Sequence, residues 1–529
     1  MAKRDGWTAY DAMFNPLRRR VLQGAAAVGA MSLAPQLAFA QSALLGLPRH
    51  ALVIGNGRYQ GSPLDNPASD AKAIAGELKA SGFEVALQLD AGRDIMVNAI
   101  EAYGNLLASR KAVGLFYFAG HGAQLAWRNY LVPVDAVIKS MDEVPARAVE
   151  LNTLLQRLTK AKNPMNVIVL DACRDNPFGK GLPTEQKGLS QFDAPPGSLL
   201  AYATSPGNVA SDGAGRNGLY TENLLRELKA PEAKIEDVFK RVRLAVRRRS
   251  HGEQIPWEST SLEEDFYFHP PKQVRKPTDD EATKRFEEEL AIWERIKSAT
   301  QAGPLEDYLQ RYPSGLFSEV AQLRLDQVLA RAGERRIDVV SSDQNPYSKG
   351  TLRIDTRVQV GDRYRYREVE ADTGQEIRQY TLVVSQITDA EVIYGKGEFV
   401  TDLLGNFVKL GDGRVFTGSQ YIVPDYSLGK RWTSRHRVIS SKGEPYDTVY
   451  DFKVVARENK TVPAGTFDAF RIEGSGWTRG RSGINIQLQS RYWVTPNVRR
   501  YIEAHFRQRT GKGTVLENKR IELLSFTQR

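Results

Sequence analysis

Cysteine is almost absent from this chain: Cys173 is the only one in 529 residues. A single thiol excludes any disulfide within the chain. With six scattered histidines, it leaves no spacing that reads as a metal-ligand pattern. No stretch beyond the N-terminal region approaches 18 apolar residues, so no spanning helix is expected and the mature chain should be soluble. Charge of one sign is not dominant either, since 73 Lys and Arg against 63 Asp and Glu give +10, mostly dispersed. The densest basic cluster, Lys240-Arg241-Val242-Arg243 and Arg247-Arg248-Arg249, falls on one helical stretch. It reads as a solvated helix face in preference to a nucleic-acid patch, so no nucleic-acid partner is expected. Length alone suggests about two to four domains.

What is present starts with a leader. Arg18-Arg19-Arg20-Val21-Leu22-Gln23 resembles a twin-arginine export motif, with Leu17 where Ser or Thr is usual. A mildly apolar run from Gly24 to Leu33 follows, and Ala38-Phe39-Ala40 fits a small-residue cleavage site. Residues 1–40 are therefore assigned as a signal peptide, and the mature chain is expected in the periplasm. Cleavage would remove five basic and two acidic residues and leave a net charge of +7.

From His50 onward the pattern alternates strand and helix. Ala51-Leu52-Val53-Ile54-Gly55 and Phe83 to Leu89 read as strands; Ala68 to Ala80 and a stretch capped by Asp94 read as helices. Val113-Gly114-Leu115-Phe116-Tyr117-Phe118 is a continuous apolar strand that empties into Ala119-Gly120-His121-Gly122. A helix near Leu151 to Lys160 leads to a second such strand, Asn166 to Leu170, which ends in Asp171-Ala172-Cys173-Arg174. Apolar strands alternating with helices imply a mostly parallel sheet covered on both faces. Ligands collect at the carboxyl ends of strands in such sheets, where His121, Asp171 and Cys173 all fall. A histidine beside a cysteine supplies a nucleophile and its proton carrier. The next strand is expected at Ser198 to Thr204, a covering helix at Lys234 to Arg249, and a closing strand at Phe266-Tyr267-Phe268.

Gly120-His121-Gly122, with the cysteine 52 residues on at Asp171-Ala172-Cys173-Arg174 (173 − 121), resembles the caspase fold and, within it, the bacterial metacaspase-like proteins. The resemblance runs from about Arg49 to His269. It takes in Pro63 to Ala71, Asn217-Gly218-Leu219-Tyr220-Thr221 and Gln254 to Ser261. It implies a cysteine endopeptidase in which Cys173 is the nucleophile and His121 the general acid/base. The backbone N–H groups of Gly122 and Cys173 would form the oxyanion hole, and Asp70 and Asp171 would line a pocket selecting Arg or Lys. It also implies that the polar loop between Arg174 and Gly197 separates large and small subunits and is cut during activation, at Lys180 or Lys187. No cofactor is established by the sequence; Ca2+ activation is what the resemblance allows. Each residue also has a plainer reading. Read so, Cys173 is an inert buried thiol, His121 a core histidine, Asp70 a first-turn helix residue and Asp171 a strand-end cap.

After Pro270 the composition changes. Residues 271–282 read as a linker, 283–335 as a small helical segment (Phe286, Leu290, Trp293 and Ile296 at helical spacing), and 337–529 as an antiparallel β domain. Its strands alternate apolar with polar, as in Tyr364 to Val369, Tyr380 to Val384, Thr448 to Val454 and Ile484 to Leu488. The expected shape is a curled meander or half-barrel with one wet face. Two functional classes stay open: an exported endopeptidase acting on proteins or peptides, and a non-catalytic caspase-like scaffold binding an envelope partner through its C-terminal regions.

Overall fold

A computed structural model describes residues 43–173, 189–205, 215–272, 277–334, 345, 347, 348, 350–480, 483 and 485–529. The twin-arginine leader, Lys180, Lys187 and most of the proposed processing loop lie outside the described residues.

The α/β region is built on one sheet. Its strands are β1 (Arg49–Gly55), β2 (Glu84–Leu89), β3 (Val113–Leu125), β6 (Met165–Cys173), β7 (Ser198–Tyr202) and β8 (Trp257–Thr260). They lie in the order β2-β1-β3-β6-β7-β8, all parallel except the last. Alternate residues of each central strand face opposite layers. On one side Val53, Leu115, Tyr117, Val167 and Val169 pack on α1 (Pro67–Ala80), α5 (Leu219–Leu228) and α6 (Ile235–Arg249). On the other, Ile54, Phe116, Phe118, Ile168 and Leu170 pack on α2 (Arg93–Arg110) and α4 (Leu151–Ala161). Double burial explains why these strands read as unbroken apolar runs.

Three expectations are corrected here. The sheet is closed by β8, whereas Phe266 and Phe268 pack into the core beneath it and Tyr267 makes only an isolated bridge to Lys234. Asp94 is not a cap: α2 starts at Arg93 after Gly92, and the Arg93 N–H donates to the Asp135 carboxylate at 3.0 Å. The basic cluster on α6 is a solvated face only in part: Arg248 and Arg249 are exposed, whereas Lys240 and Arg247 are partly buried. Lys240 pairs with Glu319, Arg247 with Asp326 and Glu334, and Arg248 with Glu306, all on the helical segment that follows.

That segment comprises α7 (Asp279–Ile296), α8 (Ala302–Arg311) and α9 (Ser318–Arg331). The linker is shorter than expected, because α7 begins at Asp279 behind a capping box between Thr278 and Glu281. Trp293, Leu305, Phe317, Leu325 and Val328 form its core, completed by Leu244 from α6 and Leu404 from the β region. Three short helices cannot bury their apolar faces alone, and here both neighbours cover them.

The half-barrel expectation is also corrected. The C-terminal region is a closed antiparallel barrel of twelve strands. Its long strands include β18 (Pro445–Val462), β19 (Gly465–Gly480), β20 (Asn485–Thr495), β21 (Val498–Thr510) and β22 (Val515–Thr527). Closure comes from pairing its first strand, β10 (Arg363–Glu370), with β22, which leaves no free edge. Tyr426, Tyr450, Phe452, Ile472, Leu488 and Tyr492 fill one core cluster of this region. A separate two-stranded ribbon pairs β9 (Thr351–Arg353) with β16 (Asp425–Ser427) and sits against β8, where Ser427 Oγ donates to the Thr260 carbonyl at 2.9 Å. Among the described residues no helix is long and apolar enough to cross a membrane.

Candidate active site

The parallel register of β3 and β6 ends with His121 opposite Cys173. Cys173 is placed here by its backbone, as the last residue of β6. Beyond His121, β3 leaves the sheet and turns into an antiparallel hairpin with β4 (Arg128–Leu131), Gly122 facing Leu131. His121 therefore stands where one ladder gives way to another. Gly120 makes the change of direction possible. Its φ is 155°, and a Cβ there would lie 2.7 Å from the Tyr59 hydroxyl and 3.1 Å from the Asn56 carbonyl oxygen.

The imidazole of His121 is buried and held on two sides. The Tyr59 ring lies 4.4 Å from it, centroid to centroid. The Tyr59 hydroxyl accepts the His121 backbone N–H at 3.0 Å and donates to the Val132 carbonyl at 2.9 Å. His121 Nε2 lies 2.7 Å from the carbonyl oxygen of Ser62. A carbonyl only accepts, so Nε2 carries the proton in this contact. In the neutral ring that leaves Nδ1 as the nitrogen with the lone pair, able to take a proton. Neither Tyr59 nor Ser62 was singled out in the sequence.

Gly122 is closely surrounded. A Cβ there would meet Leu189 Cδ2 at 3.0 Å and the Ala172 Cβ at 3.1 Å. Space on that side is thus already filled by Leu189, a residue that sequence reasoning did not pick out.

The two candidate pocket carboxylates come to the same end of the sheet, on the α1 and α5 side. Asp171 is partly exposed; its Oδ2 accepts from Thr221 Oγ1 at 2.6 Å and from the Tyr117 hydroxyl at 3.2 Å. Tyr117 and Thr221 are themselves 2.6 Å apart. Asp70 is buried in the first turn of α1, where its carboxylate accepts from Asn217 Nδ2 at 2.7 Å and from the Gly218 N–H at 3.1 Å. It thereby ties down the entry to α5, a structural task shared with Ser69, whose hydroxyl donates to the Arg216 carbonyl. Burial, then the negative charges of Asp171 and Asp70, push the Tyr117 phenol well above its ordinary value. That keeps Tyr117 protonated and a donor to Asp171.

Among the described residues no group of three or more His, Cys, Asp or Glu side chains is placed to hold a metal ion. A cavity of about 1240 Å³ opens elsewhere, between β8, α6, the helical segment and the barrel. Its walls carry Arg243, Glu258, Asp425, Lys430, Trp432 and Arg491. It is lined by charge of both signs and lies apart from His121.

The family model of the caspase domain matches residues 48–267. Mucosa-associated lymphoid tissue lymphoma translocation protein 1 of Homo sapiens is 30% identical over 162 residues, covering 30% of this chain and 19% of the human protein. Its homolog in Mus musculus is 30% identical over 162 residues, covering 18% of that protein. The chain thus spans about a fifth of the length of the curated relatives it matches.

Proposed function

We propose that this chain, whose residues 48–267 match the family model of the caspase domain, is a cysteine endopeptidase cutting after Arg or Lys with His121 and Cys173. The observation that carries the proposal is the His121 contact to the Ser62 carbonyl, which leaves Nδ1 as proton acceptor in the residue registered opposite Cys173. Nδ1 takes the thiol proton, and the thiolate of Cys173 attacks the carbonyl carbon of the scissile bond. The N–H groups of Gly122 and Cys173 hold the oxygen that becomes negative. When the tetrahedral species collapses, the C–N bond breaks, Nδ1–H protonates the leaving amine, and an acyl-enzyme remains. Water then attacks the thioester with Nδ1 again accepting a proton, which returns to the departing thiolate.

Asp171 is the favoured partner for a basic side chain. It is partly exposed and is oriented by Thr221 and Tyr117, while Asp70 is engaged with Asn217 and Gly218 and adds its charge from behind. A desolvated acidic side chain beside these carboxylates costs several kcal/mol, whereas a guanidinium pairs with them bidentately. The deciding experiment compares two fluorogenic peptides differing only in Arg or Asp before the scissile bond, with Cys173→Ala and Asp171→Asn as variants. Arg cleavage abolished by the first and weakened by the second is expected. A preference for the Asp peptide refutes the pocket, and full activity of Cys173→Ala refutes the nucleophile. We place the enzyme in the periplasm on the twin-arginine pattern, and changing Arg18 and Arg19 together to Lys should hold the precursor in the cytoplasm.

A further inference from the structure

The chemistry proposed for His121 and Cys173 gives the C-terminal half of the chain no part, yet among the described residues that half is bonded to a stretch beside the site. Leu189 to Asp193 is the stretch of irregular backbone that leads toward β7. Having no ladder of its own, it must find partners for its backbone groups elsewhere. The β3–β4 hairpin supplies some: Asn129 Nδ2 donates to the Ser190 carbonyl at 2.8 Å, and the Ser190 N–H donates to Asn129 Oδ1 at 2.7 Å.

The rest come from residues just before the barrel. Asn345 Nδ2 donates to the Gln191 carbonyl at 2.9 Å, and the Asp193 N–H donates to the Tyr347 carbonyl at 2.8 Å. Gln191 Nε2 donates to Thr351 Oγ1 at 3.2 Å, and the Gly350 N–H donates to the Asp193 carboxylate. The rings of Phe192 and Tyr347 stack 4.7 Å apart, 11° from parallel. Thr351 then opens β9, which pairs with β16 of the barrel region. At the other end of the clamped stretch, buried Leu189 fills the space against Gly122 and Ala172. One continuous set of contacts therefore runs from the barrel region to the backbone beside the reacting residues.

We propose that Asn345, Tyr347, Gly350 and Thr351 form a strap that positions Gly122 for catalysis by fixing Leu189 to Asp193 behind it. The proposal rests on the peptidase reading, which gives Gly122 its role as an oxyanion donor. A donor displaced by a fraction of an ångström stabilises the transition state less and affects substrate binding little. The strap's variants should therefore lower kcat and leave KM nearly unchanged. It also makes the barrel region a required part of the enzyme, because the strap is held from that side.

The test uses the full chain with Tyr347→Ala, the milder Asn345→Ala, and Tyr347→Phe as the conservative control. Phenylalanine keeps the ring stack and the backbone carbonyl, so Tyr347→Phe should match the unchanged protein. Tyr347→Ala should lower kcat for the Arg peptide about tenfold or more. Amide hydrogen exchange at Ser190 and Asp193 should quicken in the same variant, without loss of the main thermal transition. Asn345→Ala should shift both readouts the same way by less, and it carries the test should Tyr347→Ala not fold. Faster exchange with unchanged kcat overturns the strap's catalytic role, and unchanged exchange overturns the clamp. An unchanged protein that neither cleaves peptides nor reacts at Cys173 with an electrophilic peptide is a different failure, that of the peptidase reading.

Discussion

Replacing Tyr59 by phenylalanine removes one oxygen from the candidate active site and leaves the ring against His121. That oxygen accepts the His121 N–H at 3.0 Å and donates to the Val132 carbonyl at 2.9 Å, and both groups are buried. A buried polar group that loses its partner costs about 1–3 kcal/mol. Val132 keeps a long contact from Asn56 Nδ2 at 3.4 Å, so most of the cost falls on His121. A loss of about 2–3 kcal/mol in unfolding free energy is expected. About half of it should reach the reaction barrier, because the freed backbone carries the imidazole away from its set position. That corresponds to about a tenfold fall in kcat, at 1.36 kcal/mol per decade. Steady-state kinetics on the Arg peptide, with denaturant unfolding of the same samples, reads both quantities. Unchanged kcat in a destabilised Tyr59→Phe would refute the positioning argument. A rise in KM alone would place Tyr59 in substrate binding.

The other predictions concern the scaffold. Burial pushes the Asp402 carboxyl up to about 6, against hydrogen bonds from Asn406 and Leu404 that favour its charged form. The folded state therefore binds the proton more tightly than the unfolded one. The stability this contributes is present at low pH and falls by about 3 kcal/mol as pH rises through about 4 to 6, a slope that should vanish in Asp402→Asn. Burial drives the His436 ring the other way, down to about 3, so its contribution is present above about 6.5 and is lost as pH falls toward 3. His436→Gln should thus flatten the acid side of the unfolding profile, and a steeper acid side would count against the assignment. Arg247→Met leaves Asp326 and Glu334 without their shared guanidinium, at 2.5 and 2.6 Å in the native chain, and should weaken docking of the helical segment by about 3 kcal/mol. The expected sign is a separate early thermal transition; a single unshifted one refutes the docking role.

How much of this was legible depended on whether the signal was local. The central strands announced themselves because both their faces are buried, which leaves nothing but apolar residues between Val113 and Phe118 or Val167 and Leu170. The β3–β4 hairpin was missed for an equally physical reason. Its two-residue turn is Ala126-Trp127, both at positive φ (47° and 66°), where Asn-Gly would ordinarily advertise such a turn. The start of α7 carried a readable capping box in Thr278 and Glu281, obscured by the charge-rich composition around it. Barrel closure had no local signature at all. Arg363 pairs with Thr527 at the opposite end of the domain, and alternation within a strand is the same in an open sheet and a closed one.

The site divides in the same way, along the line between groups recognised by residue type and groups recognised by position. The roles proposed for His121, Cys173 and Asp171 are ones that only side chains can supply, so short motifs around them suffice to pick them out. Ser62 contributes a backbone carbonyl, which any residue could offer, and what matters is that the loop after β1 delivers it 2.7 Å from Nε2. Leu189 contributes bulk behind Gly122, and Asn345 and Tyr347 act through a segment more than 150 residues earlier in the chain. Such partners are fixed by tertiary packing, so no reading of spacing along the chain reaches them. The consequence is functional. If the reactive residues are set by motif but their geometry by distant backbone contacts, the caspase-like domain alone holds the chemistry without holding its alignment. The alignment then depends on the strap, and through β9 and β16 on the barrel region that anchors it.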